Sequence, residues 1–312
     1  MVSVRIATCL AAFAAAVSAA PVLPAENALT YETLNVTDTA DRTLRNGERV
    51  VFGNGRTTVV SEATYKLLLK LEGVSAETPE IDWDYIKSGE KFAGNYRNGT
   101  SLDKRDCSND ISYTVDTKQR FVDWDVQMSP VIIGAGNHGI DITISKSWTV
   151  SNGITVSGGF DPSSLYSKLG ASFGVDYSRV WTTSQGYLVR ATVDDGQTGV
   201  VITEPWVNRK YGRTFQGCPG SLRQVGTFMA DSHEDGSYEG VSWVSGAITG
   251  CIKSQSSIPL TRCHGSGAFS TIINCAKADR LVAKAIADHH MGTNYSYNER
   301  VDCGGARRDC PT

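Results

Sequence analysis

The stretch Tyr187-Leu-Val-Arg-Ala-Thr-Val193, Asp194-Asp-Gly-Gln-Thr-Gly199, Val200-Val-Ile-Thr-Glu-Pro-Trp-Val207 decides the fold class. Two runs rich in β-branched residues flank a short polar segment with two glycines, so the pattern predicts two strands joined by a hairpin-type connection. Working outward, Ile140, Ile142 and Ile144 alternate with Asp141, Thr143 and Ser145, and Phe173, Val175 and Tyr177 alternate with Gly174, Asp176 and Ser178. Period-two alternation is what a half-buried strand requires. The expected fold is mainly β, an antiparallel sheet or β-sandwich of about seven or more strands. Near the end the period changes. Ile272, Ile273, Ala276, Leu281, Val282 and Ile286 predict an amphipathic C-terminal helix, or a broken pair, over Ser270–Ala287, with Gly292 as its stop.

Upstream, Glu48-Arg-Val-Val-Phe52 and Thr57 to Val60 read as two strands around a turn at Gly53-Asn-Gly55. Ser61 can cap a helix that carries Leu67, Leu68 and Leu71, and Gly73 ends it. This small α+β unit contains no cysteine. It ends at Lys104-Arg105, inside the polar stretch Ser101-Leu-Asp-Lys-Arg-Asp-Cys107. Adjacent cations on an extended chain suit the acidic clefts of kexin-type proteases. Segment 20–105 is therefore expected to be a pro-segment that assists folding or blocks a site, and 106–312 the mature domain. Residues 1–19 have the layout of a secretory signal peptide: Arg5, an apolar run from Ile6 to Val17, and small residues, with cleavage after Ala19.

The chain has 312 residues, 40% hydrophobic and 20% charged, with a net charge of −3. That balance excludes disorder throughout and gives no electrostatic reason to bind nucleic acid. Once Cys9 leaves with the signal peptide, Cys107, Cys218, Cys251, Cys263, Cys275, Cys303 and Cys310 remain. Their wide spacing is not that of a zinc ribbon, and in an oxidising compartment they read as disulfides. The first six are expected to form intramolecular bridges of open connectivity, with Cys310 in the polar tail as the odd thiol. Asn35, Asn98 and Asn294 stand in glycosylation sequons, of which only Asn294 lies beyond the dibasic site.

Few residues suggest chemistry. Asp123 and Asp125 flank Trp124 in Phe121-Val-Asp-Trp-Asp-Val126, so on a strand both carboxylates would share one face. Paired carboxylates beside aromatic rings occur in glycosidases and in sugar sites, which makes these two the candidates for catalysis. His264-Gly-Ser266-Gly does not meet the nucleophile-elbow pattern. His233-Glu-Asp235 reads as a solvated turn, and the adjacent His289 and His290 as a helix C-terminal cap. Trp148, Trp181, Trp206 and Trp243 read as packing residues. No metal site or cofactor is implied. The Ser/Thr-rich stretches Ser145–Ser157 and Ala171–Ser178 look like the amphipathic strands of aerolysin-type pore formers, a pattern that also suits a soluble sandwich.

From Phe52-Gly-Asn-Gly-Arg-Thr-Thr-Val-Val-Ser-Glu-Ala-Thr-Tyr65 through Lys104-Arg105 to Trp206-Val-Asn-Arg-Lys-Tyr-Gly-Arg213 and the cysteine-rich end, the chain resembles effector-like secreted proteins of plant-associated filamentous fungi. The resemblance implies a secreted, pro-segment-bearing protein with a host-directed role, and carries over no site. The expected function is thus that of a secreted, proteolytically matured module that binds a host or extracellular protein or glycan without catalysis. Two alternatives stand beside it. One is an aerolysin-like membrane-active toxin, the only reading that involves membrane contact, and the other is a secreted glycan hydrolase using Asp123 or Asp125.

Overall fold

The computed structural model describes residues 37–38, 42–53, 56–96, 107, 110–145, 148–158, 162–183, 189–236 and 243–270. Ala19, Lys104, Arg105, Cys275, Cys303, Cys310, the sequons at Asn35, Asn98 and Asn294, and His289 and His290 lie outside them. So does all but the first residue of the helix expected over Ser270–Ala287.

In chain order the elements begin with β1 (Thr37–Asp38), β2 (Arg42–Leu44), β3 (Glu48–Gly53), β4 (Arg56–Ser61), α1 (Glu62–Leu71) and α2 (Trp83–Lys87), then a 3₁₀ turn over Glu90–Asn95. There follow β5 (Ile111–Val122), β6 (Val126–Gln127), β7 (Ile132–Ile133), β8 (Ile140–Thr143), β9 (Thr149–Ser151) and β10 (Gly153–Gly158). After α3 (Pro162–Phe173) come β11 (Val180–Thr182), β12 (Val189–Val193), β13 (Thr198–Gln216), β14 (Arg223–His233) and β15 (Gly246–Lys253). The chain is mainly β, and its sheets are antiparallel except where β12 meets β2.

The spine is β13, which continues well past the predicted Val207. Its first half pairs with β15 and, in short steps, with β6 and β7, and its second half pairs with β5 and β14. Pro205 stands where the partner changes from β15 to β14, a position in a long strand that tolerates a residue without an N–H. The ladder then extends from β15 through β3 to β4, and from β14 to β10.

The predicted hairpin between β12 and β13 is corrected. The turn exists, with the Gln197 N–H donating to the Asp194 carbonyl at 3.1 Å and Gly196 at φ +80°. The two strands nevertheless enter different sheets. Residues 198–203 of β13 are already hydrogen-bonded to β15 on the one hand and to β6 and β7 on the other, so no edge is left for β12. Instead β12 pairs with β2 and β8 and stacks against the main sheet. The layers approach closely at glycines, since a Cβ on Gly199 would meet Val193 Cγ2 at 2.6 Å.

A second correction concerns Phe173, Val175 and Tyr177, and with them the strand-like reading of Ala171–Ser178. Phe173 is the last residue of α3, whose Leu165 and Leu169 are fully buried one helical turn apart. Gly174 at φ +64° then turns the chain, so the apparent alternation is a helix end followed by a loop. The Ile140–Ser145 alternation is a strand over Ile140–Thr143, with Ile142 and Ile144 buried.

The N-terminal hairpin and helix form where expected. The Ser61 hydroxyl accepts the Thr64 N–H at 3.2 Å, and Gly73 follows the helix at φ +64°. The buried face of α1 is Tyr65, Leu68 and Leu69, whereas Leu67 and Leu71 point outward. Strand β3 also pairs with β15, and its side chains enter two cores. Val50 and Phe52 join a cluster with Trp181, Val201, Trp243 and Ile248, and Val51 joins α1, Val122 and Trp206 on the opposite face. All four tryptophans read as packing residues are buried. Among the described residues two disulfides are formed, Cys107–Cys218 and Cys251–Cys263. No helix among the described residues is long and apolar enough to cross a membrane.

Candidate functional site

A cavity of about 550 Å³ opens beside the edge strand β10, bounded by the β5–β6 connection, β9, the loop after α3, and β14. Its walls are dominated by apolar groups such as Val150, Ile154, Val207 and Met229, and Asp123, Asp125, Asp231, His233 and Arg262 also line it. Both carboxylates singled out from the sequence are therefore in one cavity. They are not on a strand: β5 ends at Val122 and β6 begins at Val126, and the intervening residues cross between them.

Asp125 is fully buried. One carboxylate oxygen accepts the backbone N–H groups of Cys263 and His264, each at 2.7 Å, and the Asp125 N–H donates to the His264 carbonyl at 3.1 Å. Arg262 Nη1 donates to the Asp125 carbonyl. The second carboxylate oxygen is out of solvent and without a partner. Burial, aided by the nearby Glu204 charge, pushes the carboxyl up to about 6 against the opposing pull of the two N–H donors. The loop it anchors is pinned to β15 by Cys251–Cys263, and Gly265 lies against the Trp124 indole, which stays 41% exposed at the rim. The Asp125 carboxylate and the two sulfurs lie within 4.8 Å of one another, but sulfurs joined in a disulfide carry no thiolate to ligate a metal.

The opposite wall holds a residue whose state is determined by its neighbours. Asn152, between β9 and β10, donates through Nδ2 to the Asp176 carbonyl at 2.8 Å, so its Oδ1 faces His233. That oxygen accepts the His233 backbone N–H at 2.7 Å and stands 3.1 Å from Nδ1. An amide oxygen can only accept, so Nδ1 carries the ring proton and Nε2 presents a bare lone pair. Nε2 is buried with no partner. Burial holds the imidazole down to about 4, so it is neutral above that pH. His233 shares a sheet face with Val207, opposite it in register, and with Asp231 and Met229 at period two. Asp231 is neutralised by a two-pronged pair with the buried Arg209, both contacts at 2.8 Å.

The solvated turn expected at His233-Glu-Asp235 is thus corrected at His233 and in its geometry, while Glu234 and Asp235 are exposed as expected. His233 closes β14, Glu234 accepts from Asn208 and Arg120, and Asp235 accepts from Trp181 and Arg179. These residues border a second, more charged groove of about 460 Å³ that shares His233 with the first. His264 is held by Thr78, with Oγ1 and Nε2 3.0 Å apart. Sequence reading missed the His233–Asn152 pair because the two are separated by 81 positions and no local signal joins them.

No family model, curated protein or solved structure matches the chain.

Proposed function

We propose that this is a secreted, proteolytically matured, effector-like protein that acts by binding a host or extracellular protein or glycan, and that the cavity beside β10 seats a hydroxyl- or amide-bearing group of that partner. One observation carries the reading: His233, neutral and with an Nε2 that is buried without a partner, is one of the residues lining the cavity. A buried acceptor left unsatisfied costs about 1–3 kcal/mol, and a ligand O–H or N–H that reached Nε2 through a small shift of the wall would recover it. The apolar walls would take the body of that group, and the exposed Trp124 offers a ring face at the rim. The two disulfides agree with an oxidising destination.

Thermal-shift screening of soluble glycan fragments and hydroxylated small molecules, run on the wild type and on Val180→Trp, tests the site. Val180 lies on the cavity lining and is 52% exposed, so the substitution narrows the mouth without touching the core. The expected result is a ligand that stabilises the wild type and not the variant. Equal stabilisation of both would move binding elsewhere.

A second reading, a secreted glycan hydrolase, is favoured by Asp125 alone. A carboxyl raised to about 6 and sharing a cavity with Asp123 has the protonation behaviour of a general acid. Turnover of wall glycans that is unchanged in Asp123→Asn and Asp125→Asn would remove it.

A further inference from the structure

A pro-segment that blocks a site should line that site, and one that is shed should leave a finished surface behind. Residues 42–96 do neither. Among the described residues none of this segment lines the cavity; it stands behind the cavity wall. Thr78 Oγ1 donates to the Val122 carbonyl at 2.7 Å and contacts His264, the residue after Cys263 in the loop that Asp125 anchors. The Pro79 carbonyl accepts from Arg209, and Ser75 is bridged to Phe121.

The surface it covers is an interior one. Strand β3 lies between β4 and β15, and Val50, Val51 and Phe52 are each at most 4% exposed. Removing β3 would open the β15 edge from Gly246 to Ile248 and uncover Val201, Trp206, Trp243 and Ile248. It would also strip Arg49 from Glu204, whose side chain is 6% exposed, at 3.2 Å. A buried carboxylate without its cation is among the costlier defects a fold can carry. Farther along, Tyr211 Oη accepts from the Asp82 N–H, and Thr227 Oγ1 donates to the Ile86 carbonyl at 2.8 Å.

Lys104-Arg105 lies between Tyr96 and Cys107 in the sequence, outside the described residues. Cleavage after Arg105 would leave a new amino terminus one residue ahead of Cys107, which is tied to Cys218 in the β13–β14 connection. The downstream end is therefore anchored covalently, and the upstream piece is held by sheet pairing and two cores.

Resting on the proposed maturation at Lys104-Arg105, we infer that residues 42–96 remain with the body of the protein after that cleavage, as a non-covalently held second chain that completes the main sheet and braces the cavity wall. The test uses the full chain, secreted by eukaryotic cells and exposed to a kexin-type protease. Its mass is then measured under native conditions and again in denaturant without reductant. The expected result is one native particle containing both pieces, which separates in denaturant because segment 20–105 holds no cysteine. Three results would each overturn the inference: a folded native particle that lacks the leading piece, two pieces that part on gel filtration without denaturant, or a chain the protease leaves uncut.

Discussion

His233 and Asp125 face one cavity and titrate over overlapping ranges with opposite consequences. Burial holds His233 at about 4, against about 6.5 in an unfolded chain, so between those values the unfolded state binds the proton more tightly. Its contribution to stability is full above about 6.5 and is lost as pH falls toward 4. Asp125 is held at about 6, against about 3.9 unfolded, so its contribution is full below about 4 and is lost as pH rises through 6. Each shift corresponds to about 3 kcal/mol, and the two offset each other across the shared window. His233→Gln should therefore make stability decline as pH rises from 4 to 6, and Asp125→Asn should make it climb. Urea midpoints taken across that range check both, and parallel curves for wild type and variants would refute the opposed pair. Asp125→Ala should behave differently from Asn. It strands the Cys263 and His264 N–H groups and should cost about 2–4 kcal/mol in neutral buffer, read as a lowered urea midpoint. The two carboxylates were legible because an aromatic between two acids is visible in a line of text. His233 was not, because Glu234 and Asp235 beside it suggest a solvated turn and Asn152 is distant in sequence.

At the level of elements, what could be read from local pattern and what could not divide along hydrogen-bond edges. Ser61, the apolar spacing after it and Gly73 define α1 without help from the rest of the chain. The turn over Asp194–Gln197 was equally readable. Whether the strands on either side of it pair depends on edges that β15, β6 and β7 occupy, and those strands come from residues 246–253 and 126–133. Period two likewise misled at Phe173, where a helix end and a left-handed glycine imitate a strand. The face-to-face stacking that replaces the hairpin makes a steric prediction. At Gly199 a new Cβ would lie 2.6 Å from Val193 Cγ2 and 3.0 Å from Ile252 Cγ1, and its φ is not in the left-handed range. Gly199→Val should lose about 1–3 kcal/mol through overpacking. Gly153→Ala, in an edge strand where a Cβ meets nothing within 4 Å, should stay within about 1 kcal/mol of wild type. Equal thermal shifts for the two would mean the layers do not touch at Gly199.

Over the whole molecule, stability is shared across sequence distances that no local pattern reports. The larger core draws on β2 and β3 near the start, β8 and β12 in the middle, and β15 near the end of the described chain, so boundaries suggested by cysteine content or by a dibasic pair need not coincide with packing boundaries. The two disulfides act on this assembly in different ways. Cys107–Cys218 joins residues 111 positions apart, whereas Cys251–Cys263 joins residues 12 apart. If loop closure in the unfolded chain is what matters, the first contributes about 5 kcal/mol and the second about 3 kcal/mol. Function should follow the reverse order. The short bridge pins the loop whose N–H groups hold Asp125 and whose Arg262 lines the cavity, while the long one ties the β13–β14 connection, which lies outside the cavity wall. Replacing both cysteines of Cys107–Cys218 by serine should therefore lower the melting temperature more yet leave ligand affinity at 20 °C within about twofold. The same change at Cys251–Cys263 should lower the melting temperature less and weaken binding by about tenfold or more, the scale of about 1.4 kcal/mol lost at the wall. Calorimetric titration of both variants with the ligand found by screening decides it. A larger loss of affinity in the Cys107–Cys218 variant would mean that the cavity is held by the global fold rather than by its own clamped loop.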